Sequence, residues 1–222
     1  MSDDDEMEVK ARRLIIFDFD GTLAATLEAG FSLVNELAPE YGFEPISQER
    51  ALELRAMRTR EAIMSLGIPA RSIPKLLKEV RAALRNRMDE IRPVEGIVEA
   101  LTALRGRGVR LGILTSNSKE NVRIFLDHWG MGGMFDFVTA GSTLFGKVRL
   151  LRRAHEAEAV GLELGDVLYV GDETRDIHAA QRAGMRSVAV SWGLNTRGAL
   201  EAVGPDVILD EPADLVALFD GR

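Results

Sequence analysis

The segment Leu14-Ile15-Ile16-Phe17-Asp18-Phe19-Asp20-Gly21-Thr22 constrains the chain more than any other. Its apolar residues run without alternation, the pattern of a buried strand in a parallel sheet. The strand ends in two aspartates. In extended backbone, residues two apart point to the same side, so both carboxylates face one small space while Phe19 turns into the packing. Asp-Gly by itself is a common turn signal. Two like charges at that separation, however, repel unless a cation or a shared proton compensates them, which favours a chemical role for the pair.

From Val94 onward, apolar runs alternate with amphipathic segments. Strands are expected at 13–17, 109–114, 137–139, 167–170, 187–190 and 207–209, and helices at 96–105, 119–129, 148–160, 175–183 and 213–219. Val122, Phe125 and Trp129 show the helical spacing that turns one face inward. This order predicts an α/β fold, a Rossmann-like parallel sheet core with helices on both faces. Between the first strand and Pro93 the pattern changes: Leu27, Phe31 and Val34 recur at helical spacing, further helical segments follow at 48–57, 59–65 and 73–90, and no strand interrupts them. A strand-to-strand crossover needs only about a dozen residues, so an inserted α-helical cap is expected. The predicted division is a disordered acidic tail over 1–11, a core formed by 12–24 and 93–222, and a cap over 25–92.

Composition narrows the function. A chain of 222 residues with 46% hydrophobic content can bury one large core with a subdomain inserted into it. It has no apolar stretch of membrane-spanning length and no signal-peptide pattern, so a cytoplasmic location and no membrane partner are expected. Cysteine is absent, which excludes disulfides and thiolate nucleophiles, and three histidines are too few for a polyhistidine metal site. The net charge of −7 is uneven, because residues 1–10 carry five acids and one lysine. Residues 25–92 hold eleven Lys and Arg against ten Asp and Glu, a balance that suits a lid over an anionic substrate. Aromatics make up 6% of the chain and no basic stripe interleaves with them, so nucleic acid is not an expected partner.

Two more strands end in reactive residues. Leu111-Gly112-Ile113-Leu114 runs into Thr115-Ser116-Asn117, and Val167-Leu168-Tyr169-Val170 runs into Gly171-Asp172-Glu173-Thr174-Arg175-Asp176. Ligands of open α/β sheets bind beyond the carboxyl ends of the strands, where these groups would meet Asp18 and Asp20. With these motifs the chain resembles the haloacid dehalogenase superfamily of phosphohydrolases, and within it the phosphoglycolate phosphatase-like members with an α-helical cap. Asp18-Phe19-Asp20-Gly21-Thr22 matches the first motif, Ser116 the second (with Thr115 as the neighbouring alternative), Lys147 the third, and Gly171-Asp172 with Asp176 the fourth. The third departs from the commoner Lys-Pro form, reading Gly146-Lys147-Val148.

The resemblance implies a Mg²⁺-dependent phosphatase of a small phosphorylated metabolite, 2-phosphoglycolate being one candidate, working as a monomer or homodimer through an aspartyl-phosphate. Phosphoryl transfer needs an in-line nucleophile, neutralised phosphoryl oxygens and a proton for the leaving alkoxide. Asp18 is the expected nucleophile. Asp18, the Asp20 carbonyl and Asp172 are the expected Mg²⁺ ligands, with Asp176 supporting them. Lys147, Ser116, Asn117 and the Phe19 and Asp20 backbone are expected at the phosphate, and Asp20 as acid and then base. Arg55, Arg58 and Arg60 are cap candidates for substrate contact. Two alternatives remain: a phosphosugar mutase of the same superfamily, and a catalytically inactive binding or regulatory protein on the same scaffold. A phosphonate hydrolase would need a Schiff-base lysine, and Lys75 and Lys78 carry no sign of that role.

Overall fold

The computed structural model describes residues 13–141 and 146–219; the predicted tail over 1–11 lies outside them. Six strands form one sheet: β1 (Leu14–Phe17), β2 (Arg110–Thr115), β3 (Phe137–Ala140), β4 (Val167–Gly171), β5 (Arg186–Val190) and β6 (Val207–Leu209). All adjacent pairs are parallel, in the order β3-β2-β1-β4-β5-β6. β1 is thus central, with Leu14 paired to Arg110 on one side and to Val167 on the other. Its period-two alternation feeds two cores. Ile15 and Phe17 join the larger apolar cluster with Ile97, Leu101, Val122 and Phe125, while Leu14 and Ile16 join a second with Leu151, Ala154, Ala179 and Ala183. All four β1 side chains are fully buried, each contributing about 1.5–3 kcal/mol of hydrophobic stabilisation.

Four helices lie between β1 and β2 ahead of the one that returns to the sheet: α1 (Leu27–Tyr41), α2 (Gln48–Arg55), α3 (Thr59–Ser65) and α4 (Ile73–Arg85). Leu33, Leu76, Val80 and Leu84 from this insertion continue the larger core cluster. The two chain segments entering and leaving it run side by side. Ala24 and Pro93 form an antiparallel bridge, the Ala25 N–H donates to the Arg92 carbonyl and the Val94 N–H to that of Leu23. The remaining helices are α5 (Ile97–Gly106), α6 (Lys119–His128), α7 (Lys147–Glu158), α8 (Thr174–Ala183), α9 (Arg197–Glu201) and α10 (Asp214–Ala217).

The differences from the sequence reading are local. The helix expected over 73–90 stops at Arg85, and turns follow through Glu90 in which Met88 becomes fully buried. Residues 86–90 include Asn86 and Asp89, which favour turns over helix interiors. The α9 helix was not expected; five residues are too few for a periodic signal, although Thr196 caps it by accepting from the Ala199 N–H. The C-terminal helix expected over 213–219 contracts to α10.

Candidate active site

Three parallel strands end together, and their loops bring the charged groups into one place. Asp18 follows β1, and its buried carboxylate accepts from the Phe19 N–H at 2.9 Å through Oδ1 and from Lys147 Nζ at 2.9 Å through Oδ2. Lys147, the first residue of α7, is itself buried and also donates to Asp176 Oδ1. Burial opposes its charge, yet Asp176 and Asp18 outweigh that cost and hold the ammonium well above its usual pKa. It also lies 5.4 Å from the Tyr169 ring centroid. Sequence distance hides this grouping, because Asp18 and Lys147 are separated by 129 positions.

The β4 end supplies Asp172 and Asp176. Asp172 Oδ1 accepts from the Thr22 hydroxyl at 2.8 Å, and Oδ2 from the Leu194 N–H at 2.7 Å. Its surroundings are so close that a Cβ at Gly21 or Gly193 would overlap it, and Gly21 in addition has φ +72°. Asp176 serves twice: besides Lys147 it accepts from the Glu173 N–H, half of a capping box that starts α8. Burial and then the neighbouring Glu173 push the Asp172 carboxyl well up. Burial likewise raises Asp176 to about 7, with Lys147 pulling the other way. Oxygens of Asp18, Asp172 and Asp176 lie within 4.8 Å of one another, a hard, anionic oxygen cluster that fits a small divalent cation.

Asp20 stands apart from this cluster. Its Oδ1 accepts from Asn117 Nδ2 at 3.0 Å. Enclosure by the protein and then the nearby Asp18 raise its carboxyl to about 7. Asn117 is held in turn: its Oδ1 accepts from the Ser118 N–H and from Asn121 Nδ2, and Asn121 Nδ2 also donates to the Arg81 carbonyl in α4. A chain of amides therefore leads from Asp20 to the helical insertion. A second one starts at the Asp172 loop. Asn195 accepts from the Thr174 N–H and donates to the Arg55 and Met57 carbonyls, at 3.0 and 2.9 Å.

The sequence-predicted residues sort as follows. Asp18, Asp172, Asp176 and Lys147 converge, with Asp20 beside them. Thr115 is fully buried and its hydroxyl accepts from the Asn117 N–H, whereas Ser116 is the partly exposed member of the pair. The buried Phe19 ring meets Phe125 edge-to-face at 5.1 Å, which fixes the loop carrying its N–H. Arg55 is directed elsewhere: its guanidinium donates to the Leu194 and Gly193 carbonyls, clasping the insertion to the β5 loop. Arg58 is exposed at the start of α3, and the Arg60 side chain lies outside the described residues. Sequence reasoning missed Asn121, Asn195 and Arg175. Arg175 carried the one available signal, its place between Asp172 and Asp176; its head group pairs with Glu173, and its buried Nε makes no hydrogen bond.

The model of the haloacid dehalogenase-like hydrolases matches residues 15–190, which take in Asp18, Asp20, Ser116, Lys147, Asp172 and Asp176. The chain belongs to the haloacid dehalogenase-like hydrolases. Within this family it is 38% identical over 202 residues to a phosphoglycolate phosphatase of Synechococcus elongatus, covering 91% of this chain and 94% of that one. It is 29% identical over 211 residues to the pyrophosphatase PpaX of Bacillus mycoides, covering 92% and 95%. A haloacid dehalogenase-like hydrolase from Streptococcus pneumoniae shares the fold with a TM-score of 0.77 at 19% identity, over 95% of this chain and 99% of the other.

Proposed function

We propose that this haloacid dehalogenase-like hydrolase is a Mg²⁺-dependent phosphatase that cleaves a small phosphomonoester through an aspartyl-phosphate on Asp18. The observation that carries the reading is the grouping of Asp18, Lys147, Asp172 and Asp176 beyond the carboxyl ends of the central strands, with Asp20 alongside but bonded to none of them. The donor set suits Mg²⁺, which Asp18, the Asp20 carbonyl and Asp172 would hold. When bound it would neutralise phosphoryl oxygens.

The protein's own groups do the rest. One oxygen of Asp18 attacks phosphorus while Lys147 offsets charge on the carboxylate and the phosphoryl group. Ser116, with the backbone N–H groups of Phe19 and Asp20, orients the phosphate. Asp176, which accepts from Lys147 and from the Glu173 N–H, keeps Lys147 in place. Asp20 gives its proton to the departing alkoxide oxygen and later takes one from the water that opens the phosphoenzyme. A carboxyl raised to about 7 can do both near neutral pH. The insertion, 25–92, acts as a cap that excludes water from the first step. The relatives' names, a phosphoglycolate phosphatase and a pyrophosphatase, leave the leaving group open, with 2-phosphoglycolate among the candidates. A screen of small phosphomonoesters with Mg²⁺, reading released phosphate, tests the reading. Loss of release on chelation is expected, and no release from any ester overturns it.

A further inference from the structure

A cavity of about 300 Å³, lined at one end by Asp20 and Asp172, opens between the carboxyl ends of the strands and the helical insertion. Its two sides differ in chemistry. The charged groups of its lining, Asp20, Asp172, Glu173 and Arg175, all belong to the sheet side. The opposite wall is built from all four insertion helices and is hydrocarbon: Phe31 from α1, Leu54 from α2, Ile63 from α3, and Leu77 and Leu84 from α4. Among the described residues, the insertion gives this lining no charged side chain. Arg81 of α4 is close enough to Asp20 and Arg175 to interact with both charges, but it does not line the cavity, so a second carboxylate placed against the hydrocarbon would lose its hydration without gaining a partner on the wall itself.

Gly30 supplies an independent observation. It lies within α1, lines the cavity, and a Cβ built on it would meet nothing within 4 Å. Its φ is not positive, so its conformation does not demand glycine. Glycine is a poorer helix residue than alanine. Packing against neighbours does not explain its presence either, since there is open space where its side chain would be. What the missing side chain does provide is room in the cavity that Asp20 also lines.

We propose that this cavity is the chamber for the leaving group, and that the substrate is a phosphomonoester of an apolar alcohol, aliphatic or aromatic, of about six carbons. The inference rests on the phosphatase reading above and specifies its substrate class. The polarity of the chamber matches such a molecule end for end, with the phosphate on the charged floor and hydrocarbon against the insertion. Size agrees as well. An apolar protein cavity of ~150 Å³ takes benzene, so the space here holds a group of that size together with part of the phosphate.

The test is a chain-length series of alkyl phosphates, methyl to octyl, with 2-phosphoglycolate beside it, measured with Mg²⁺ on the wild type and on Gly30→Leu. We expect kcat/KM to rise about three- to four-fold per methylene up to hexyl, and hexyl phosphate to exceed 2-phosphoglycolate. Gly30→Leu, filling the chamber, should lower the hexyl-to-ethyl ratio of kcat/KM at least ten-fold. A flat series, a preference for 2-phosphoglycolate, or an unchanged ratio in a folded variant overturns the inference while leaving the phosphatase reading intact. Calorimetric binding of hexylphosphonate against methylphosphonate separates the two failures. Turnover absent but tighter hexyl binding, reversed by Gly30→Leu, sustains the chamber and refutes the phosphatase; neither turnover nor a length effect refutes both.

Discussion

Replacing Lys147 with methionine keeps most of the side-chain volume and removes the ammonium, leaving Asp18 and Asp176 facing one another, both buried, with Asp172 close behind. Taking one partner from a buried ion pair costs about 3–5 kcal/mol, because the remaining charge has neither solvent nor counter-ion. For a chain of 222 residues each kcal/mol moves the melting temperature by about 2–4 °C, so the metal-free variant should melt about 6–20 °C below wild type at pH 8. The deficit has a sign in pH. Asp176 stands at about 7 even with Lys147 pulling it down, and losing the lysine raises it further. A carboxyl whose folded pKa lies above its unfolded value destabilises the fold above that folded pKa, and the penalty fades as pH falls toward the unfolded value, roughly 3.9. Scanning calorimetry should therefore show the gap between variant and wild type narrowing steadily from pH 8 to pH 5. Millimolar Mg²⁺ should narrow it at pH 8 by restoring positive charge among the oxygens. An equal deficit at both pH values, untouched by Mg²⁺, would mean that Lys147 acts by packing alone.

Asp18→Asn should fold like wild type by circular dichroism and release no phosphate above background; wild-type release would remove Asp18 as nucleophile. Asp20→Asn should slow alkyl phosphate hydrolysis by about 10²–10⁴-fold, whereas with an aryl phosphate, whose leaving oxygen hardly needs the proton, rapid mixing should give a burst of one aryl alcohol per site. Equal slowing on both substrates without a burst would deny Asp20 the proton work. Asn195→Ala strips partners from the Arg55 and Met57 carbonyls and the Thr174 N–H. A loss of about 1–3 kcal/mol is expected in thermal or denaturant unfolding, with faster amide exchange near Met57, and unchanged exchange there would refute the clasp.

Much of this molecule is legible in the sequence, for identifiable reasons. A run such as Leu14 to Phe17 can be stable only with both faces covered, so it announces a central parallel strand. The meeting of the acids after β1 and β4 with the polar residues after β2 follows from that, because parallel sheets bring those ends together. The arginines of the insertion are less legible than Lys147. Arg55 looks like a substrate ligand by charge and by place in the insertion, yet its partners are carbonyls 138 and 139 positions away. Asn121 and Asn195 carry no periodic or motif signal, since an asparagine that bridges two elements is recognisable only once both elements are in place. The cavity is subtler still: apolar side chains at helical spacing read as core, and nothing in the spacing says that the space between them stays open.

The amide chains through Asn121 and Asn195 bear on how far the parts of this architecture can be exchanged. Each asparagine belongs to the sheet side, but the carbonyls that accept from its Nδ2 are supplied by the insertion: Arg81 for the chain that ends on Asp20, Arg55 and Met57 for the one that ends on the Asp172 loop. A foreign insertion grafted between Ala24 and Pro93 would meet the apolar contacts with almost any hydrocarbon surface. It would meet the amides only if its carbonyls arrived at the same two points. The insertion and the acids it covers are therefore matched as a set, and a transplant that ignored Arg81, Arg55 and Met57 would loosen Asp20 and the loop that carries Asp172.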